Sequence, residues 1–187
     1  MLSAATNCPV CLTGVGSPCQ ECRSSLHGAS DRVLASGMLV VAAYLHEGLA
    51  RNLVHRLKYR ADPTVAKLLG GAAMAAKVPP WAEALVPVPR ARLRRWRYGI
   101  DPALELARAI SAETSLPVIA ALVPPWWWPP HTRGSRAERR GPRFRARCSV
   151  PPGAILVDDV VTTGATLQAA SAALGGAIGA AVVATTA

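Results

Sequence analysis

The sequence predicts an α/β protein: a parallel sheet flanked by helices, preceded by a small N-terminal knuckle of four cysteines. Three observations carry that prediction. Short apolar runs alternate with helically spaced ones, which implies parallel pairing through right-handed crossovers. Four of the five cysteines lie in "CPVCLTGVGSPCQEC", at Cys8, Cys11, Cys19 and Cys22. Of 187 residues 51% are apolar, enough to bury the core of one ordinary domain beside a small appendage. The cysteine segment is expected over residues 1–30 and the α/β domain over residues 31–187.

The cysteines are spaced CxxC, seven residues, CxxC. Two thiolates separated by two residues can turn onto one tetrahedral ion, and a spacer containing glycine and proline lets the second pair close the site. Zinc is the natural occupant. Four sulfur ligands fill its shell, so its role is structural, ordering a segment too short to build its own core. Two disulfides or a redox pair are the competing reading. The start "MLSAATNCPV" has neither the basic region nor the apolar run of a secretory signal, which makes a reducing, cytoplasmic location the default and favours the metal. Cys148 stands far from the cluster, with no histidine near it in sequence, and reads as a bystander thiol.

After the link "SSLHGASD", the run Val33 to Leu45 is rich enough in Val and Leu for one or two buried strands. It is too short to span a bilayer, and the C-terminus is dominated by Ala, Gly and Thr, so no membrane span is expected. From Glu47 to Tyr59, Leu49, Leu53, Val54 and Leu57 recur at helical spacing. This predicts an amphipathic helix with Arg51, Lys58 and Arg60 toward water and His55 as a surface or packing residue. A second helix is expected over Pro63 to Lys77, capped by Asp62 and stopped before "VPP". "ALVPVP", Ala84 to Pro89, reads as a buried strand leading into a loop. Asp101 and Pro102 then open a helix with Leu104, Ala107 and Ile110 on one face. "LPVIAALV" offers another strand. Beyond it, "PPWWWPP" and the arginine-rich run to Cys148 break all periodicity and form a long loop, a candidate lid.

The densest stretch is "AILVDDVVTTGATLQAA", Ala154 to Ala170. "AILV" is a buried strand, "DDVVTTGAT" the loop at its carboxyl end, "LQAASAAL" a helix ending at Gly175 and Gly176, and "AAVVATTA" the next strand. Open parallel sheets bind ligands beyond the carboxyl ends of their strands, which is where the acids and threonines fall. Backbone N–H groups of Thr163 to Thr166 at a helix N-terminus suit a phosphate monoester, and Gly164 permits close approach. Asp158 and Asp159 would repel that phosphate and must serve another part of the ligand. Vicinal ribose hydroxyls, met directly or through a divalent cation, suit a pair of carboxylates. A sugar phosphate or nucleotide is implied, and the lack of G-x-x-x-x-G-K-[ST] disfavours an ordinary P-loop.

The net charge of +10 is focused: Arg90 to Arg97 holds five arginines and Arg133 to Arg147 seven, twelve of the 21 basic residues. Elsewhere nine basic residues face ten acidic ones. Such focus points to an anionic ligand or surface, with solvated arginines as the plainer alternative. Trp96, Trp126, Trp127 and Trp128 lie among these arginines. Together they could hold single-stranded nucleic acid, phosphates on the arginines and bases on the rings; packing of "WWW" on the domain or on a partner is the alternative.

"ILVDDVVTTGATL" closely resembles the phosphoribosyl-pyrophosphate signature of type I phosphoribosyltransferases. The order of parts is CxxC…CxxC, "HRLKYRAD", "LVPVPRARLRRWRYG", an "AERR" loop and then the signature. Over nearly the whole chain, that order resembles the ComF/GntX family of competence-associated, phosphoribosyltransferase-like proteins. The resemblance implies a type I phosphoribosyltransferase-like sheet and a ligand, phosphoribosyl pyrophosphate, bound with Mg²⁺ that bridges pyrophosphate and ribose. It implies that Asp158 and Asp159 hold the ribose diol. Thr162, Thr163, Gly164, Ala165 and Thr166 would bind the 5′-phosphate, and Arg90 would lie in the pyrophosphate loop. It further implies transfer of the phosphoribosyl group to a nitrogenous base and an association with DNA uptake, with single-stranded DNA and proteins of the competence machinery as partners. The chain departs from the family at Tyr98, Gly99, Ile100, Asp101 and Pro102, where R-G-F-N-Q is usual. In the flexible loop His131 and Pro142 replace a glutamine and an asparagine, while Glu138 and Arg139 are kept. These departures bear on acceptor handling and loop closure. A non-catalytic nucleic-acid-binding protein and a regulator on the same fold stand as alternatives.

Overall fold

Strand residues of this chain alternate between two apolar faces, and both faces are covered. A computed structural model describes residues 7–12, 18–60, 62–127, 142–176 and 178–186. The first elements are α1 (Gln20–Ser24), β1 (Arg32–Val33), β2 (Leu39–Leu45), α2 (Gly48–Arg60), α3 (Pro63–Gly70) and α4 (Ala72–Ala75). There follow β3 (Ala84–Pro87), α5 (Arg92–Tyr98), α6 (Pro102–Thr114), β4 (Leu122–Val123) and β5 (Arg145–Ala146). The chain closes with β6 (Ala154–Val161), α7 (Ala165–Ala173) and β7 (Ala180–Thr186).

The main sheet has five strands in the order β1-β2-β7-β6-β3. Its pairings are parallel except for the short antiparallel β1. Val41, Leu85, Ile155, Val157 and Val182 pack with Leu53 and Leu57 of α2, Leu69 of α3, Met74 of α4, and Leu106 and Ile110 of α6. Their neighbours Val40, Val86, Leu156 and Val183 pack instead with Leu167 and Ala170 of α7, Leu122 of β4 and Phe144. A parallel sheet covered on both faces calls for near-continuous apolar strands, which "LVVAA", "ALV" and "AILV" are. β4 and β5 form a separate antiparallel pair, Leu122 opposite Ala146 and Val123 opposite Arg145.

Several expectations are met and several are corrected. Asp62 accepts from the Thr64 N–H at 3.1 Å and caps α3 as its position predicts. The helix expected over Pro63 to Lys77 is broken into α3 and α4 at Gly70 and Gly71. The backbone leaves the helical region at Gly71, ψ -120°, and Gly70 lies against α6, where an added Cβ would stand 3.3 Å from the Leu106 backbone. The loop expected after Pro89 contains α5, none of whose side chains is buried, so it leaves no apolar period to read. α5 is anchored by its first N–H groups: Arg92 and Leu93 donate to the carbonyls of Pro125 and Trp126. On α6 the buried face is Ala103, Leu106, Ala107 and Ile110, and Leu104 is only half-buried. "LPVIAALV" joins the main sheet by a single bridge, Val118 to Leu85, before β4 leaves it.

Trp128, His131, Glu138 and the arginines at 133, 136, 139 and 140 lie outside the described residues, as do residues 13–17 of the cysteine spacer. Among the described residues no helix is long and apolar enough to cross a membrane.

Candidate functional site

β3 and β6 are neighbours in the sheet, yet the chain leaves β3 for α6 on one face and β6 for α7 on the other. A crevice therefore opens beyond their carboxyl ends. Pro87 pairs with Val157, and the Val88 N–H donates to the Val157 carbonyl at 2.9 Å. That register runs Asp158 and Asp159 alongside the segment that carries Arg90. One pocket is lined by Arg90, Asp158, Asp159 and all of Thr162 to Thr166, so the residues singled out in two distant stretches converge. It is also lined by Lys58, Arg94, Asp101 and, from the segments flanking β4 and β5, Pro125, Pro142 and Phe144.

β6 continues through both acids to Val161, because β7 pairs with it as far as Val161 opposite Thr186. The loop proper is therefore only Thr162 to Gly164. Gly164 precedes α7 with φ +80°, a left-handed conformation that favours glycine. A Cβ there would also stand 2.5 Å from Leu34 Cδ1, so the loop rests directly on Leu34. Thr163 Oγ1 accepts from the Ala165 N–H at 3.3 Å, and Arg32 donates through Nη2 to the Thr162 carbonyl. Strand β1 thus braces the turn from outside the pocket.

The acids are held differently. Asp158 Oδ1 accepts from the Asp159 N–H at 2.8 Å. Burial, and then the adjacent Asp159 carboxylate, push Asp158 well above the usual carboxylate range. Asp159 Oδ1 lies 2.8 Å from Lys58 Nζ, and its carbonyl accepts from Thr185 Oγ1, which in turn meets His46 Nδ1 at 2.8 Å. Arg90 donates from Nη1 to the Lys58 carbonyl at 2.8 Å, and its guanidinium stands 5.1 Å from the Tyr98 ring and 5.7 Å from that of Tyr59. The cation is thereby aimed rather than left to sweep through solvent.

Two residues enter the site against expectation. Lys58 turns inward to Asp159 instead of toward water, because α2 ends beside the crevice and its last turn faces ligand space, not bulk solvent. Asp101 is only 5% exposed and makes no side-chain capping bond to α6. Burial above all pushes it up to about 6, against the attraction of the Arg90 N–H and Arg95. The lysine could have been suspected from its place after Leu57 at the end of the apolar face; nothing in the pattern separated Asp101 from an ordinary cap.

A second centre lies at the N-terminus. Ligand atoms of Cys8, Cys11, Cys19 and Cys22 all lie within 4.8 Å of one another, close enough to hold one metal ion. α1 begins after Cys19 and returns Cys22 to the cluster. Cys8 Sγ accepts from the N–H groups of Val10 at 3.4 Å and Cys19 at 3.3 Å. Burial raises the Cys8 thiol, but the backbone N–H groups of Cys19, Cys11 and Val10 outweigh it and hold Cys8 below its ordinary value. Cys22 is pushed up to about 12 by burial and by the other three thiols. The donor set fits a soft divalent ion with a closed shell. Arg56 of α2 donates to the Pro9 carbonyl through both terminal nitrogens at 3.2 Å and pairs with Asp62 at 2.7 Å, docking the cysteine turn on the same helix that supplies Lys58.

Outside the pocket, Trp96 on α5 is 84% exposed, and Trp126 and Trp127 are also exposed. Arg92, Arg95 and Arg147 surround Trp96 in a shallow surface depression. Cys148 is exposed. No family model matches this chain, and no curated protein matches it.

Proposed function

We propose that the chain is a ComF/GntX-like phosphoribosyltransferase-type protein. It binds phosphoribosyl pyrophosphate as its magnesium complex and transfers the phosphoribosyl group to a nitrogenous base. The observation that carries this reading is the convergence of Asp158, Asp159, Arg90 and the Thr162–Thr166 turn on one crevice of a parallel sheet. In this reading the turn and the start of α7 bind the 5′-phosphate, and the paired carboxylates accept from the ribose hydroxyls. Lys58 fixes the Asp159 carboxylate, and Arg90 meets the pyrophosphate. Magnesium, carried in with the substrate, neutralises part of the pyrophosphate charge.

In the transfer, a bond forms from the base nitrogen to C1′ as the bond from C1′ to the pyrophosphate oxygen breaks, and the nitrogen gives up its proton to solvent or to the departing pyrophosphate. The ribose ring gains positive charge as pyrophosphate gains negative charge. Arg90, held in place by Tyr59, Tyr98 and the Lys58 carbonyl, stabilises the departing charge without reorganising. Zinc in the cysteine knuckle is part of the same proposal, as is a reducing, cytoplasmic setting that keeps the thiols available to it. Calorimetric titration of the zinc-loaded chain with phosphoribosyl pyrophosphate should give saturable binding at one site per chain that requires Mg²⁺. A folded protein that binds none would defeat the reading.

The exposed tryptophans favour a second reading, single-stranded nucleic acid on the surface of α5. Rings stack on bases without sequence preference while the arginines meet phosphates. A protein engaging about four phosphates should lose roughly 50-fold in affinity for an oligothymidylate between about 50 and 200 mM salt. Affinity that is flat across that range would remove the electrostatic contact on which this reading depends.

A further inference from the structure

The pocket holds a carboxylate for which the phosphoribosyl donor has no use. On the reading above, phosphates occupy the Thr162–Thr166 turn and Arg90, and the diol occupies Asp158 and Asp159. Asp101 is left over: the Arg90 N–H attracts its carboxylate, but one oxygen is unused. It lines the same pocket, is 5% exposed, and its Oδ1 has no hydrogen-bond partner. It sits at the head of α6 but leaves the helix N–H groups uncapped, so its burial serves no helix end.

Three uses for such a group can be separated. A phosphate would be repelled. A metal position made of Asp101, Asp158 and Asp159 is not present, since among the described residues the cysteine quartet is the one group of His, Cys, Asp or Glu ligands close enough to share an ion. What remains for Oδ1 is an N–H donor brought by a ligand, because a buried carboxylate oxygen is costly until a donor meets it.

We propose that Asp101 recognises the acceptor, and that the acceptor is a nitrogen base presenting an N–H to this carboxylate and bearing no carboxylate of its own. This inference rests on the phosphoribosyl-transfer reading and names the class of its second substrate. Arg90 and Arg95 attract Asp101, Asp159 opposes its ionisation, and with a pKa raised to about 6 it is ionised at pH 8. An ionised carboxylate accepts and never donates, so it selects for amino, amidino or ring N–H groups and against acidic bases.

The test is a set of calorimetric titrations of the full, zinc-loaded chain at pH 8, with ribose 5-phosphate present. Adenine, guanine and cytosine are compared with orotate and nicotinate. At least one of the first three should bind roughly tenfold or more tighter than both acids. Asp101→Leu should lose roughly tenfold or more of that affinity, and Asp101→Asn, which keeps an acceptor oxygen and adds a donor, should lose less and gain affinity for orotate. Melting curves should show both variants folded, and Asp101→Asn, which keeps an oxygen toward the Arg90 N–H, should retain the wild-type affinity for phosphoribosyl pyrophosphate. An acid that binds the wild type as tightly as the best neutral base overturns the proposal. So does failure of all three neutral bases to bind, or an order of preference that both variants leave unchanged. Failure of the donor reading is seen separately, in the titration of the wild type with phosphoribosyl pyrophosphate.

Discussion

Replacing Asp158 and Asp159 together by asparagine should abolish measurable binding of phosphoribosyl pyrophosphate, while Asp158→Asn alone should make the ligand-free protein more stable. Hydrogen bonds to charged acceptors contribute about 1.5–3 kcal/mol each, so losing two costs roughly 10²–10⁴ in affinity. The stability gain has the opposite sign because the site is not built for stability. Asp158 is pushed above its ordinary 3.8 by burial and by Asp159. A raised carboxylate contributes stability that is fully present below pH 3.8 and is lost as pH rises through its folded value. Asp101 adds to the same loss between 3.8 and about 6. At neutral pH the wild type bears this cost and Asp158→Asn does not. Thermal melts at pH 5 and pH 8 check the claim: the advantage of the variant should be larger at pH 8, and a variant less stable at both would show that burying this charge does not destabilise the fold. Asp159→Asn differs, since it strips Lys58 of its partner, and should not share the gain.

The second large effect is expected at the cysteine knuckle. Metal analysis of protein purified without chelator should find one zinc per chain, and chelation or Cys8→Ser should melt the knuckle. Structural zinc sites in small peptides supply about 10–16 kcal/mol of binding free energy, far more than the few contacts around Val10 and Leu49 can replace. The consequence should reach the pocket. Arg56 ties the Pro9 carbonyl to α2, and Lys58, two residues on, holds Asp159. Loss of the metal should therefore lower the melting temperature and weaken binding of phosphoribosyl pyrophosphate together. Zinc-free protein in which the four cysteines form disulfides would sink the metal assignment.

What could be read from the sequence follows from which signals are local. "AILVDD" announced a buried strand carrying acids at its carboxyl end, and the cysteine spacing announced four sulfurs that the fold does gather. Both are short stretches whose chemistry is complete in itself. Lys58 and Asp101 were misplaced because their roles are set by what lies across the crevice from them. A lysine on a helix and an acid before Pro102 have ordinary surface and capping uses, and only the meeting of α2, α6 and β6 removes those uses. α5 was missed for a related reason: its helix is held at one end by the carbonyls of Pro125 and Trp126 and buries no side chain, so no periodicity records it. The break was visible as a Gly-Gly pair, but the close approach of Gly70 to Leu106 of α6, which leaves no room for a side chain there, was not.

The two borders of the sheet have a consequence for how copies of this chain can meet. On one side β1 is two residues long and runs against the direction of the other strands. On the other, β3 has four residues, ends in Pro87, and already spends the Leu85 N–H and carbonyl on Pro117 and Ile119. A row of unpaired backbone groups that a foreign strand could extend is thus missing from both margins of the described sheet. Self-association by strand addition, the usual route from an open sheet to fibrous aggregates, has no template at either margin of this described five-stranded sheet. Copies that meet at this five-stranded sheet must do so through side chains rather than through a shared ladder.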